Sequence, residues 1–349
     1  MDFNHFLSAY YPDTGYGGDR LYDDMLAQAR LADSLGYASV SIPEHHLINI
    51  LLTPAPLLMA VKLAAETKRV RLMTSVAVLP LHDMRTYAGE IVMADILTEG
   101  RLILGIGRGA FAVEQERLGS PYAESRAKFD ESLAVLQKLL SEEEVSWSGA
   151  YYDFEPITVM PRPVRPIQFM IAAVTPDSIY HSARRGFHIQ TSPLMASREK
   201  MLEQIDAFHR AKAEMGPSHD HLTLSLSRVA WLAENDADKR RKVELAHDYY
   251  ARFDNLFTGP GLVRNGAAAA LPRAQSIEEL AQNLLICTAA EMIDKLGVYF
   301  DAGVDEIIFN QNLGTANAET LENMQRIAEE VMPHFVGRVP APRGAAAAE

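Results

Sequence analysis

From residue 20 to 35 the chain reads RLYDDMLAQARLADSL, and Leu21, Met25, Ala29, Ala32 and Leu35 fall on one stripe at helical spacing. Gly36 follows, as glycine commonly does where a helix must stop, and the next residues, YASVSI, read as a short apolar strand. The same grammar returns as ILTEG before RLILGIG around Gly100, as HSARRG before FHIQTS around Gly186, and as YFDAG before VDEIIF around Gly303. Each is a helix ended by glycine and joined within a few residues to an apolar strand, the short αβ connection of parallel-sheet folds. Four more runs read as strands: DFNHFLSAY near the start, VRLMTSVAVL at 70–79, PIQFMIAAV at 166–174 and LTLSLSRVAWL at 222–232. Eight strands alternate with helical patterns, the one after the seventh beginning near Asn235. That count predicts an α/β fold, a (β/α)8 TIM barrel, with a doubly wound open sheet as the alternative.

Extra length sits in three insertions, 110–122, 141–165 and 256–288, which a barrel would carry at its C-terminal face. The last contains GPGLVRNGAAAALP, and its glycine and alanine content predicts a mobile loop over the barrel mouth. No linker interrupts the pattern, so residues 1–336 are expected to form one domain. The tail, 337–349, has little to bury and is expected to be disordered.

Composition narrows the function. A chain of 349 residues that is 48% hydrophobic can bury a large core. A formal net charge of −13 argues against nucleic acid and anionic membrane surfaces as partners. The single cysteine, Cys287, excludes an intrachain disulfide and fits a reducing, cytoplasmic setting. MDFNHFLSAYY lacks the basic start and apolar run of a signal peptide, and no stretch approaches 18 consecutive apolar residues. A cytoplasmic enzyme is the expectation.

In a barrel, chemistry sits where strands end on the C-terminal face. Strand two ends in Glu44, His45 and His46, strand three in Leu79 to Asp83 with His82 among them, and strand four in GIGRGA with Arg108. Strand five ends in Ala172 to Ser178, and strand six in Gln190 to Ser192. GIGRGA superficially resembles a dinucleotide fingerprint, but it lacks the G-x-G-x-x-G spacing and follows the fourth strand rather than the first. Its glycines, Gly105, Gly107 and Gly109, suit close approach of a flat ligand, and Arg108 offers a fork of donors to a phosphate. A tight turn with an exposed arginine is the other reading. After strand five, Thr175 suits a helix N-cap and Pro176 the first helical position, leaving backbone N–H groups and the Ser178 hydroxyl for a phosphate. Asp177 counts against an anion there.

For the histidines three readings compete. Glu44, His45, His46 and His82 are all metal-ligand types, yet neighbours on an extended segment point to opposite sides and cannot easily share one ion, so no metal is expected. A structural hydrogen bond suits either histidine singly. For a pair at a barrel mouth, catalysis by at least one is the stronger expectation.

LADSLGYASVSIPEHH, SVAVLPLHD and, above all, ADILTEGRLILGIGRGAFAVEQERLG resemble the luciferase-like flavin monooxygenases, from residue 1 to about 200 and again near DAGVDEIIF. The resemblance implies a barrel and an FMN-dependent two-component monooxygenase. Reduced FMN would come from a separate reductase and react with O2 through a flavin C4a-peroxide to oxygenate a small carbonyl or hydrophobic substrate. It places His45 at the catalytic position, with Glu44 beside it to fix its tautomer. Arg108 and the loop from Ala172 through Ala173 and Thr175 to Ser178 would hold the FMN phosphate, and a non-proline cis peptide is implied between Ser75 and Val76. Asp83 stands where many relatives have histidine, with His82 one residue earlier, and two alanines replace a Glu-Ser pair after strand five. A closable apolar mouth is expected from Leu79, Leu81, Ile106, Phe111 and Met170, since water would discharge the oxygenating species. Relatives often dimerise through helices two and three, so a homodimer is implied. A deazaflavin-dependent oxidoreductase transferring hydride on the same barrel is the alternative, and a flavin-binding protein without activity a third.

Overall fold

A computed structural model describes residues 1–338; residues 339–349, most of the expected disordered tail, lie outside the described residues. The eight barrel strands are Asp2–Phe6, Ser39–Ile42, Arg71–Thr74, Leu102–Gly107, Phe169–Ala172, His188–Thr191, Leu224–Leu232 and Glu306–Asn310. Each pairs in parallel with the next, and the eighth pairs with the first through Phe3 opposite Ile307 and Phe6 opposite Asn310, closing the barrel. The doubly wound alternative is thereby excluded.

Alternation along the strands divides the core in two. Leu72, Leu104, Ile171, Ala230 and Ile307 pack against the surrounding helices. Their neighbours Met73, Ile103, Met170, Val229 and Ile308 fill the barrel interior, since successive side chains face opposite sides of a sheet. The helix from Gly18 to Leu35 buries Leu21, Met25, Ala29 and Ala32 and ends on Gly36, whose φ of 84° is left-handed. The helix after strand seven, Asp236–Phe257, is capped by Asn235, whose side chain accepts from the N–H of Asp238.

The run at 70–79 is two strands, Arg71–Thr74 and Ala77–Val78, with a cis peptide between Ser75 and Val76. The insertion at 141–165 carries an antiparallel hairpin, Val145–Ser148 with Asp153–Ile157. Residues 256–288 contain a ribbon at 263–268, a helix Ile277–Asn283 and a strand Leu285–Cys287 that pairs with the end of strand seven. The ribbon is tied to the body where the Ala268 N–H donates to the Asn49 side chain at 3.0 Å. Among the described residues no helix is long and apolar enough to cross a membrane.

Candidate active site

Glu44, His45, His46, His82, Arg108, Thr175 and Ser178 all lie beyond the C-terminal ends of barrel strands. Glu44 turns back into the protein and is fully buried. One carboxylate oxygen lies 2.9 Å from His46 Nε2 and 2.8 Å from His82 Nε2, while the other accepts the Val78 N–H at 2.8 Å. The His82 ring stacks on Tyr87 with centroids 3.9 Å apart. Burial alone would push the Glu44 carboxyl up, but the bonds from His46 and His82, the His82 charge and the Val78 N–H outweigh it and hold it below its ordinary value. The bond to Glu44 raises His46, against the opposing effect of burial.

These shifts set a pH dependence. A carboxyl lowered by folding contributes stability above its ordinary value of 4.5 and loses it as pH falls through the folded value. An imidazole raised by folding contributes fully below its ordinary value of 6.5 and loses it as pH rises through the folded value. The charged Glu44–His46 pair is therefore strongest between pH 4.5 and 6.5. The melting-temperature gap between the natural protein and His46→Gln should be widest in that window and narrow as pH rises through the raised value of His46. A gap constant across pH would show that the charge contributes nothing.

His45 faces the other way and does not meet Glu44, which corrects the expected tautomer partner. Its Nδ1 lies 2.9 Å from a carboxylate oxygen of Glu114, whose other oxygen accepts the backbone N–H of His46. The His45 ring stacks on Phe111, centroids 4.5 Å apart. Glu114 is buried on the short helix Ala112–Arg117, inside the first insertion. Sequence reading missed it because AVEQER has the look of any solvated turn of helix. Among the described residues no group of three or more His, Cys, Asp or Glu is arranged to hold a metal ion.

The glycines of strand four have a different cause from the expected ligand approach. A Cβ on Gly105 would run into the Thr74 carbonyl, one on Gly107 would come within 2.5 Å of Val76 Cγ2, and one on Gly109 would meet Gln115 and Val78. They make room for the segment 74–78 and for Gln115. Gly107 is thus a packing position, with Val76 where a ligand was expected. Arg108 lies over Tyr122, its guanidinium 5.1 Å from the ring centroid, and donates to the Tyr122 hydroxyl at 3.3 Å.

After strand five Thr175 caps the helix Pro176–Arg184, accepting from the Ser178 N–H, and the Ser178 hydroxyl lies 2.7 Å from that of Thr175. Thr175 is exposed and Ser178 is half-buried. Ala173 does not fit its expected role: its methyl packs into the helix-facing core and its N–H already donates to Gln190 O at 3.0 Å. Its neighbours Ala172 and Val174 face the mouth instead.

A cavity of about 190 Å³ opens there. Ser75, Ala172, Gln190, Thr191, Val229 and Asn310 line it, together with an aromatic wall of Tyr249, Tyr250 and Phe253 from the helix after strand seven. Of the apolar residues expected at the mouth, Phe111 and Met170 belong to the interior cluster, whereas Leu79 and Ile106 pack against the outer helices. Gln190 Nε2 donates to the Ser75 hydroxyl, but Gln190 Oε1, Thr191 Oγ1 and Asn310 Oδ1 are buried with no protein partner. Buried polar atoms are nearly always paired. Three orphans beside an apolar wall fit a flat, polar-edged ring system such as a flavin. Glu44, His45, His82 and Arg108 do not line this cavity. His45 is held one ring away from it, stacking on Phe111, which meets Phe253 of the wall edge-on at 5.3 Å.

A family model described as luciferase-like monooxygenase matches residues 1–306. The oxygenase component of a flavin-dependent trigonelline monooxygenase from Acinetobacter baylyi is 28% identical over 329 residues, covering 90% of each chain. An F420-dependent glucose-6-phosphate dehydrogenase from Beutenbergia cavernae is 25% identical, covering 90% of this chain and 94% of its own. The crystal structure of a monooxygenase from Streptomyces bottropensis superimposes with a TM-score of 0.82 at 24% identity, over 96% of this chain and all of the other.

Proposed function

The chain belongs to the luciferase-like monooxygenases, and from that premise we propose that it is the oxygenase component of a two-component system, using FMN reduced by a separate reductase and O2 to oxygenate a small carbonyl or hydrophobic substrate. The observation that carries this reading is the mouth cavity, with its aromatic wall and three unpartnered buried polar atoms. Gln190, Thr191 and Asn310 would pair with the polar edge of the flavin, and Arg108 with the N–H groups following Thr175 would hold its phosphate. When bound, the reduced flavin supplies the electrons that activate O2. Tyr249, Tyr250, Phe253 and Met170 exclude water from the reacting atoms. Glu114 occupies Nδ1 of His45, so proton exchange falls to Nε2. Leu58 on the helix Pro56–Glu66 and Met93 and Leu97 on the helix Met84–Leu97 are exposed, which supports a homodimer through these two helices.

Anaerobic titration of the full chain with reduced FMN, followed by O2, tests the reading. Saturable binding and substrate-dependent oxygen incorporation support it. The F420-dependent relative favours a second reading, hydride transfer with a deazaflavin, which needs neither O2 nor a reductase delivering reduced flavin. Binding of reduced deazaflavin with no response to FMN would replace the first by the second. For the phosphate, Arg108→Ala should weaken FMN binding by about 1.5–3 kcal/mol, the range for losing a charge-assisted bond. Unchanged affinity in a fluorescence titration refutes the contact.

A further inference from the structure

Ser227 and Val229 of strand seven line the mouth cavity, and Arg228 between them lines a different one. This second cavity, of about 260 Å³, is bounded by Arg228, Arg198, Lys295, Asn283, Asp294 and Tyr299. It lies on the outer side of strand seven, where alternation sends every second side chain. Arg228 is only 6% exposed. One guanidinium nitrogen donates to the Asn283 carbonyl, the Tyr299 ring centroid is 5.9 Å from its carbon, and its Nε is buried with no partner. Lys295 Nζ donates to the Leu284 carbonyl at 3.1 Å, and Arg198 is exposed at the start of the helix Arg198–Met215. Among the described residues none of these three cations is ion-paired to a carboxylate within 4.0 Å. Asp294 is the single acid among the lining residues.

Arg228 and Lys295 do cap the carbonyls at the end of the helix Ile277–Asn283, a structural use in itself. A helix C-terminus offers only about half a negative charge, however, and both Arg228 and Lys295 draw on it, with Arg198 a third cation lining the same cavity. A buried guanidinium is costly unless a counter-charge and further hydrogen bonds satisfy it. In a chain of net charge −13, a cavity that gathers three cations around one lining carboxylate, with Glu291 near Lys295 and Glu199 near Arg198, is the more unusual. We propose that this cavity binds a small oxyanion, the phosphate or carboxylate group of a free metabolite, gripped by Arg228 with Arg198 and Lys295 at the rim. The site is separate from Arg108 and the strand-five loop, and it does not depend on which flavin the mouth takes.

Melting of the full chain is measured against inorganic phosphate and, in parallel, succinate, with sodium chloride at matched ionic strength as reference. Because Arg108 also suits phosphate, the titration is repeated in Arg108→Ala. Arg228 is buried and its replacement risks misfolding, so the rim is altered instead, in an Arg198→Ala, Lys295→Met double variant. A saturable rise above chloride is expected, kept in Arg108→Ala and weakened about tenfold or more in the rim variant. The stronger of the two anions assigns phosphoryl or carboxylate as the bound group. No saturable response to either anion overturns the site. So does a response lost in Arg108→Ala but intact in the rim variant.

Discussion

In His45→Ala, product formation falls about 10²–10⁴-fold, the usual share of one acid–base group, while the barrel stays folded and FMN affinity stays within a few-fold. The fold survives because His45 follows strand two at the barrel end and contributes a ring stacked on Phe111, not a member of the core. FMN affinity survives because the phosphate contacts proposed for Arg108 and the turn after Thr175 lie elsewhere. Hydrogen peroxide released without oxygenation becomes the main product. His46→Ala is the control: its imidazole is committed to Glu44, so its deficit should appear as lower melting temperature. If the two variants exchange phenotypes, the imidazole serving the mouth is His46. If both oxygenate normally, the whole stretch from Glu44 to His46 is structural.

Gly105→Ala should be the most damaging single methyl that can be added to the barrel. The new Cβ would collide with the backbone carbonyl of Thr74, which no change of rotamer can move, and the Thr74 hydroxyl already donates to the Gly105 carbonyl at 2.7 Å. A loss of about 3 kcal/mol or more is expected, at the upper end for overpacking. Gly36→Ala is the comparison: its φ of 84° is unfavourable for alanine but nothing lies within 4 Å of the added atom, so about 1–2 kcal/mol is expected. Chemical denaturation of both separates the two causes. Equal losses would mean that strand four tolerates the methyl by moving, and that the crowding against Thr74 is not real.

The barrel was legible because period and punctuation agree: apolar strands follow glycine-ended helices, and Asn235 caps the helix after strand seven as its side chain suggests. The candidate site was legible only within single strand ends. Glu44 and the two histidines announce themselves in SIPEHHL, but which carboxylate meets which imidazole depends on a helix 69 residues away. Adjacent positions looked like partners and are not, because an extended segment sends them to opposite sides. The strand-four glycines were misread for a related reason. Glycine states that something comes close, and only the fold says that it is Thr74, Val76 and Val78. The aromatic wall from Tyr249 to Phe253 was hidden inside an ordinary helical pattern.

The division of the two imidazoles between two carboxylates also bears on how this protein could change by descent. Loops usually absorb insertions and deletions, because their length is free where nothing fixes their phase. The three residues after Pro43 are a loop by conformation but not by freedom. Removing one residue between Ile42 and His45 would bring His46 into the place that meets Glu114 and leave Glu44 facing a stranger. The attachment to the strand-three loop, through His82 and Val78, would fail, and the one to the insertion helix would pass to a different imidazole. Neither the length of this segment nor the identity of Glu44, His45 and His46 is free to change without losing these bonds, whereas the exposed ribbon turn at Asn265 and Gly266, with open space around Gly266, is a place where length can drift.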